Sequence, residues 1–314
     1  DNASPDDTVD IVRAWATARG RETCATGVAR SRPLRFAEYH AEGSDQLEYE
    51  ALGDLTLLRS TRNTGFAGGV NVALRALSRH PEIDLFWILN PDCEVAPSTA
   101  AAYAKAAAAT PDFGLLGARI LYREPPHLIQ TDGGMLNRWT GQCSNFNQRR
   151  STDDAREVDY RRIDFVPGAS IVASRRFLER AGPLEEDYFL FYEEVDWALR
   201  RGDLPLVYCP DALIFHESGT STGSGSATSQ ADAFFNYFNF RNRFRFMAKT
   251  RPASLPVCYG YAMAKIAHLM IQGAFAEAFG AFCGLHQLQP PREVAAKLSP
   301  EASQSAFRRS RSKL

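Results

Sequence analysis

An α/β fold with a Rossmann-like, mostly parallel sheet flanked by helices is what this sequence predicts, and three observations predict it. The runs Asp84 to Leu89 and Phe113 to Tyr122 are strand-like, and the alanine-rich stretch Pro97 to Ala109 between them is helical. Strands alternating with helices need crossovers, which favour parallel pairing. A chain of 314 residues with 45% apolar content can also enclose a substantial core, as one large domain or as a domain with an appendage.

The elements follow in order. Ser4-Pro5-Asp6-Asp7 reads as a helix start, with Ser4 as N-cap and Pro5 at the first helical position. Val9, Val12, Trp15 and Ala16 recur at helical spacing, and Gly20 supplies the stop. Leu34 to Tyr39 and Leu55 to Leu58 are short strands, followed by a glycine-rich turn and a helix over Gly68 to Arg79. Asp84 to Leu89 is expected to be a central strand. Pro125 to Asp159 is polar, with Asn147 to Asp154 expected as a mobile loop that shapes acceptor choice. Asp164 to Ala173 reads as strand and turn, Arg175 to Ala181 and Glu193 to Arg201 as helices, and Leu206 to Cys209 as a strand.

Ser218 to Ser229, nearly all Ser, Thr and Gly, is expected to be flexible and able to close over a bound donor. Phe234 to Met247 is aromatic and basic. Pro256 to Leu285 is largely apolar, broken by Lys265, His268 and Glu277, a pattern met equally by helices packed on the domain and by helices on a membrane surface. The tail from Pro291, with Arg308, Arg309, Arg311 and Lys313, is expected to be disordered and drawn to anionic lipid. The chain thus divides into a main domain at 1–250, a helical extension at 251–290 and a basic tail at 291–314.

A net charge of −1 from 36 basic and 37 acidic residues gives no global field for a polyanion, which argues against nucleic acid as the main partner. The six cysteines are scattered without a Cys-x-x-Cys pair, so neither a zinc site nor a disulfide framework is suggested, and a reducing cytoplasm fits them best. No signal peptide and no uninterrupted membrane-spanning run is present, so a soluble or peripheral protein is expected. The first methionine is Met135, which suggests a fragment.

Four segments carry chemistry. Asn90-Pro91-Asp92-Cys93-Glu94 follows a buried apolar run, and alternation along a strand would turn Asp92 and Glu94 the same way. Two such oxygen donors can share one Mg²⁺ or Mn²⁺ whose other ligands are substrate phosphates; taken alone, the pair also fits a merely acidic loop. Asn63 to Asn71 is too loose for a P-loop, but its glycines permit close backbone approach and the helix start near Gly68 offers free N–H groups to an anion. Glu193, Glu194 and Asp196 open a helix directly after the aromatic Tyr188 to Tyr192, where burial and crowding would lift a carboxylate toward the range of a general base. His216 follows the apolar Leu213-Ile214-Phe215, a setting that by itself more often marks a structural histidine.

Taken together with Asp1-Asn2-Ala3-Ser4, with Tyr192 to Arg200 and with His216-Glu217-Ser218-Gly219, these elements resemble the family 2 glycosyltransferases of GT-A fold, in the rhamnosyltransferase-like branch, over residues 1 to about 250. The resemblance implies inverting, metal-dependent transfer of a sugar, rhamnose favoured, from a nucleoside-diphosphate sugar to a hydroxyl of a glycan or lipid-linked saccharide in cell-surface polysaccharide synthesis. It implies dTDP-rhamnose as leading donor, with a UDP-hexose, UDP-N-acetylglucosamine or galactofuranose donor open. It implies Asp92, Glu94 and His216 as ligands of Mg²⁺ or Mn²⁺, and Glu194, at a position usually Asp, as the base. Asp1, Asn63, Gly65, Phe66, Gly68, Gly69, Asn71 and Asp92 would border the donor, with Val70 where Asn is frequent. Glu193, Asp196, Trp197 and Arg200 would position the acceptor or hold the helix.

In that family the Asp-Asn-x-Ser segment follows the second strand of the nucleotide-binding sheet. A strand, a helix and a strand are therefore expected upstream of Asp1, and this chain alone need not be active; a complete protein whose free N-terminus caps a helix is the alternative. The expected location is the cytoplasm, at the inner face of the plasma membrane if peripheral contact is made. The rival functions are a nucleotide-sugar or carbohydrate binding module without turnover, which would consume no donor, and a metal-dependent hydrolase or nucleotidyltransferase.

Overall fold

A computed structural model of the protein describes residues 1–19, 34–48, 51–217 and 231–307. Gly20, Ser218 to Ser229 and the basic residues Arg308, Arg309, Arg311 and Lys313 lie outside the described residues. Helix α1 (Thr8–Arg19) begins later than the Ser4 cap implied. The Asp6 carboxylate accepts from the Thr8 backbone N–H at 3.1 Å, whereas the Ser4 N–H is turned back to Asp1 Oδ1 at 3.2 Å. Strands β1 (Phe36–His40) and β2 (Leu55–Arg59) pair in parallel, Phe36 opposite Leu55. Helix α2 (Gly65–Ser78) starts inside the glycine-rich turn, earlier than Gly68.

The main sheet is formed by β3 (Leu85–Leu89), β4 (Cys93–Val95), β5 (Leu115–Tyr122), β6 (Ile129–Thr131), β9 (Ser170–Ser174) and β10 (Leu206–His216), in the order β3-β9-β5-β10-β4 with β6 also on β5. The β5–β10 pair is parallel and β3 runs in their direction, but β9, β4 and β6 are antiparallel to their neighbours. The sheet is therefore mixed. The cause is that β9, arriving from the long connection after β6, is placed between β3 and β5 in the reverse sense. β3 also ends the described order instead of standing at its centre, with Leu85, Trp87 and Leu89 exposed and Phe86 buried.

Period-two alternation divides the core between the two faces of the sheet. Leu115, Ile171 and Ala173 face α2, α4 (Arg175–Ala181) and α5 (Glu193–Leu199), while Leu116, Ile120, Val172 and Ile214 face α3 (Thr99–Ala109). Strand β5 is buried almost throughout, as a strand covered on both faces must be. β10 runs well beyond the expected Cys209, through a register shift before Leu213, and so delivers His216 to the end of the sheet.

Strands β7 (Gly134–Leu136) and β8 (Cys143–Asn145) form a hairpin within the stretch expected to be polar loop. The segment from Asn147 to Asp154, expected to be mobile, is tied down. The Asn147 amide donates to Asp132 at 2.7 Å and to the Arg156 carbonyl at 2.8 Å, and the Arg149 N–H donates to the Ile129 carbonyl at 2.7 Å. Asp132 is fully buried, so its charge requires partners. It has the Arg119 fork at 2.9 and 3.0 Å and the Tyr208 hydroxyl at 2.7 Å.

The C-terminal helices form a layer of their own. Helix α6 (Ala233–Thr250) packs along α8 (Phe275–Leu285), with α7 (Leu255–Ile271) beside them. The contact is close because two α8 residues lack side chains: a Cβ on Gly280 would lie 2.6 Å from the Ala233 carbonyl oxygen, and one on Gly284 would lie 2.1 Å from that of Tyr237. The tail expected to be disordered from Pro291 is ordered as α9 (Arg292–Ala295) and α10 (Pro300–Ala306) up to Phe307. Val294, Ala302 and Ala306 are buried there, and Phe307 stacks on Phe238 with centroids 5.8 Å apart. No described helix is long and apolar enough to cross a membrane.

Candidate active site

The first corner is built by Asn2 and the turn into α2. The Asn2 amide donates to the Gly65 carbonyl at 2.8 Å and its oxygen accepts from the Thr64 N–H at 3.1 Å, docking the N-terminal segment on the turn. Asn63 Oδ1 accepts from the Gly65 N–H at 2.9 Å. Gly65 has φ +78° and a Cβ there would lie 2.2 Å from the Phe189 carbonyl oxygen, which instead accepts from the Phe66 N–H at 2.9 Å. The Phe66 ring faces Gly168. Gly68 and Gly69, expected at the donor, make room for Thr64 and Asn2 and so shape the turn.

Asn71, expected at the donor, is fully buried and committed to the fold. Its amide donates to the Leu184 carbonyl and to Glu186, and its oxygen accepts from the Leu184 N–H at 2.9 Å. Asp1 keeps its carboxylate at the surface, accepting from Ser4, beside the parallel strands.

The second corner is the carboxyl end of β3 and β10. The Asn90-Pro91-Asp92 turn closes through the Cys93 N–H on the Asn90 carbonyl at 3.2 Å, and the Asn90 N–H donates to Ala169 at 3.0 Å. His216 Nε2 lies 3.3 Å from Asp92 Oδ1, and its Nδ1 lies 2.9 Å from Gln130 Oε1. Asp92 Oδ1 is buried, with the His216 imidazole beside it. Burial raises the Asp92 carboxyl, but the His216 contact and charge outweigh it and hold the pKa below the usual value.

Asp92, Cys93 and His216 are the one group among the described residues with three ligand atoms close enough for a metal ion. Burial pushes the Cys93 thiol up to about 12, and its S–H donates to the Ala169 carbonyl at 3.5 Å. Glu94 is apart from this group. Its side chain is 70% exposed and its nearest cation is Arg123 at 3.8 Å, which also reaches Glu217 at 3.3 Å. The antiparallel register pairs Cys93 with His216 and Glu94 with Phe215, so Glu94 turns to the opposite face. Asp92 precedes the strand, and strand alternation does not govern it.

The Asp92 carboxylate and the His216 imidazole, 3.3 Å apart with the shared Oδ1 buried, fit a divalent cation. The contact from Gln130 is the kind that fixes a ligating histidine, since an N–H held at Nδ1 leaves Nε2 as the donor to metal. Gln130→Leu is expected to weaken Mn²⁺ binding by about 10–100-fold with little change in melting temperature, measurable by calorimetric titration.

The third corner is the start of α5. Phe189, Phe191 and Tyr192 have φ of 64°, 67° and 76°, an unfavourable region for side-chain-bearing residues. Helix α6 holds them there: the Arg241 and Asn242 side chains donate to the Tyr188 carbonyl at 2.8 and 2.9 Å, and Asn242 also reaches the carbonyls of Leu190 and Phe191. The Tyr192 hydroxyl donates to the Gly141 carbonyl at 2.7 Å and receives Arg243 at 3.1 Å. Burial lifts Glu194 to about 7, against the opposing pull of backbone N–H groups at the helix start. Burial and then the neighbouring Glu194 raise Glu193 well above the usual carboxylate range, and both carboxyls have an unpartnered Oε2.

Of the remaining residues expected to position the acceptor or hold the helix, Asp196 and Trp197 are buried and Arg200 is half-buried. Asp196 is buried between Lys249 at 3.0 Å and Arg200 at 3.1 Å. The Arg200 fork also donates to the carbonyls of Ala181 and Pro183. Trp197 has no exposed surface, donates to the Gly182 carbonyl at 2.8 Å and meets Phe177 edge-on at 4.8 Å. Trp197→Ala is expected to destabilise the protein by about 3–5 kcal/mol, checked by urea unfolding.

The corners are joined through backbone. Phe66 touches Gly168; the next residue, Ala169, accepts from Asn90 and Cys93; and Phe189 bonds Phe66 and leads into Tyr192 and Glu194. Gln130, Arg241, Asn242 and Arg243 carry no motif, and sequence reading missed them; buried polar residues on the aromatic α6 pattern were the one available signal.

No family model matches the sequence. The chain is 28% identical over 218 residues to the N-acetylglucosaminyl-diphospho-decaprenol L-rhamnosyltransferase of Mycobacterium tuberculosis, a match spanning 60% of this chain and 67% of that protein. It is 23% identical over 209 residues to the low-salt glycan biosynthesis hexosyltransferase Agl10 of Haloferax volcanii, spanning 65% of this chain and 64% of that one. The chain therefore spans about two thirds of the length of the curated relatives it matches. Among solved structures, the mannosyltransferase PcManGT from Pyrobaculum calidifontis, in complex with GDP-Man and Mn²⁺, aligns with 91% of this chain and 76% of its own at a TM-score of 0.45 and 15% identity.

Proposed function

For a chain that belongs with the glycosyltransferases, we propose metal-dependent, inverting transfer of a sugar, rhamnose favoured, from a nucleoside diphosphate to a hydroxyl of a lipid-linked saccharide. The observation that carries this reading is the meeting of Asp92 and His216 at 3.3 Å, with Gln130 behind the imidazole. The rhamnosyltransferase relative supports the choice of sugar, and the decaprenol in its name supports a lipid-linked acceptor of cell-surface polysaccharide synthesis. dTDP-rhamnose is the proposed donor.

Asp92 and His216 would hold Mg²⁺ or Mn²⁺, with other ligands from the substrate diphosphate. When bound, the ion supplies charge stabilisation to the departing phosphates. Asp1 and the turn from Asn63 to Phe66 border the nucleotide. Glu194 takes the proton from the acceptor hydroxyl as that oxygen bonds the anomeric carbon, and the nucleoside diphosphate leaves with the electrons of the broken bond. A single displacement of this kind inverts the anomeric centre. Burial raises the Glu193 carboxyl well above the usual carboxylate range, which leaves Glu194 as the member of the pair that cycles.

A thermal-shift panel of dTDP, UDP and GDP, each with and without Mn²⁺, tests the reading. Stabilisation by one nucleotide, and only with Mn²⁺, is expected, with dTDP as that nucleotide; no metal-dependent shift with any of them would count against it.

A further inference from the structure

We propose that the outer face of the α7–α8 hairpin seats the protein on an anionic lipid bilayer surface beside the acceptor corner. The inference rests on the reading that the acceptor is lipid-linked. On α8 the stripe facing α6 is buried, whereas Phe275, Phe279 and Phe282, at helical spacing on another side, are exposed, as are Met270 and Ile271 at the turn. Ile271 is 84% exposed and Phe275 66%, values far from those of a covered core. No described element lies over this stripe.

The chemistry of the rim selects the occupant. Between Pro256 and Gln289 the charged side chains are one Lys265 and one Glu277, with the exposed His268 a turn beyond Lys265 on the same helix. An aromatic and aliphatic ridge beside the exposed Lys265, with the one acid Glu277 only partly exposed, suits insertion at the headgroup boundary of an anionic membrane. Neither helix is long and apolar enough to cross the bilayer, so the hairpin lies on it.

The position fits a lipid-borne acceptor. The Tyr261 hydroxyl of α7 donates to Gln142, and the adjacent Gly141 carbonyl accepts from Tyr192, which directly precedes Glu193 and Glu194. The face is therefore linked to the start of α5 through a single hairpin, and Trp139 at the tip of that hairpin is itself 64% exposed.

The test is co-sedimentation of the full chain with vesicles of phosphatidylcholine alone and with added phosphatidylglycerol. The wild type is expected to partition onto the anionic vesicles, and the triple variant Ile271→Ser, Phe275→Ser, Phe279→Ser to lose at least about tenfold in partitioning. Lys265→Glu is expected to weaken binding about fivefold, on the anionic vesicles alone. All should melt as the wild type does. Wild-type protein left in the supernatant, or a triple variant that binds equally, would overturn the proposal. So would a concentration-dependent dimer that the triple variant dissolves, since a second copy would then cover the face. Transfer to a water-soluble acceptor separates the two readings: retained transfer without vesicle binding removes only the membrane face, whereas vesicle binding with no transfer removes only the sugar-transfer reading.

Discussion

Glu194→Gln is expected to fold, to keep the metal-dependent nucleotide shift, and to lose about 10²–10⁴-fold in kcat. The loss comes from replacing the proton acceptor by an amide of the same shape that cannot accept a proton at neutral pH. The wild-type pH profile supplies the sign. A base works deprotonated, and burial has lifted this one to about 7, so kcat/KM should fall about tenfold per pH unit below that point and level off above it. Glu193→Gln is the control: burial raises its carboxyl well above the usual carboxylate range, and an amide resembles the neutral acid, so kcat should change only slightly. Initial rates of donor consumption with acceptor present, measured from acid to mildly alkaline pH, distinguish the two. An inactive Glu193→Gln beside an active Glu194→Gln would exchange their roles.

The start of α5 also shows which of the two roles left open by the sequence, positioning the acceptor or holding the helix, the geometry favours. Glu193, Asp196, Trp197 and Arg200 recur at the i, i+3, i+4, i+7 spacing of one helix face. That face looks into the protein, where Asp196 meets Lys249 and Trp197 fills the core. Periodicity could have separated this stripe from Glu194; proximity within the motif concealed it. By contrast α4 was legible to the residue, because Ser174 caps it by accepting from the Phe177 N–H and Gly182 ends it.

Elsewhere the missing information was non-local. Gln130 reaches His216 because β6 and β10 flank opposite edges of β5, a neighbourhood with no trace in local spacing. The segment after Asn147 reads as polar loop because the buried Asp132 that fixes it lies on another stretch of chain. The tail after Pro291 reads as disordered because its buried residues are small: Ala302 and Ala306 give little hydrophobic signal, and their packing depends on the aromatic surface of α6.

The Asp-x-Glu motif gives the sharpest separation of sequence reading from geometry. Asp92→Ala or His216→Ala is expected to abolish Mn²⁺-dependent stabilisation by the donor nucleotide and to raise its Kd by at least about 100-fold, more than the loss expected at the supporting Gln130. Glu94→Ala is expected to change that Kd little, because its carboxylate is exposed, lies on the opposite face of β4 and is within ion-pair reach of Arg123. Calorimetric titration of nucleotide into each variant, with and without Mn²⁺, makes the comparison. If Glu94→Ala falls as far as Asp92→Ala, the ion recruits Glu94 by turning the strand around it, and the pair acts together as the motif implied. If it does not, the cation rests on one carboxylate and one imidazole, and the site depends on the substrate's own phosphates to complete it. Metal and donor would then bind as one cooperative step, visible as Mn²⁺ affinity that rises when nucleotide is present.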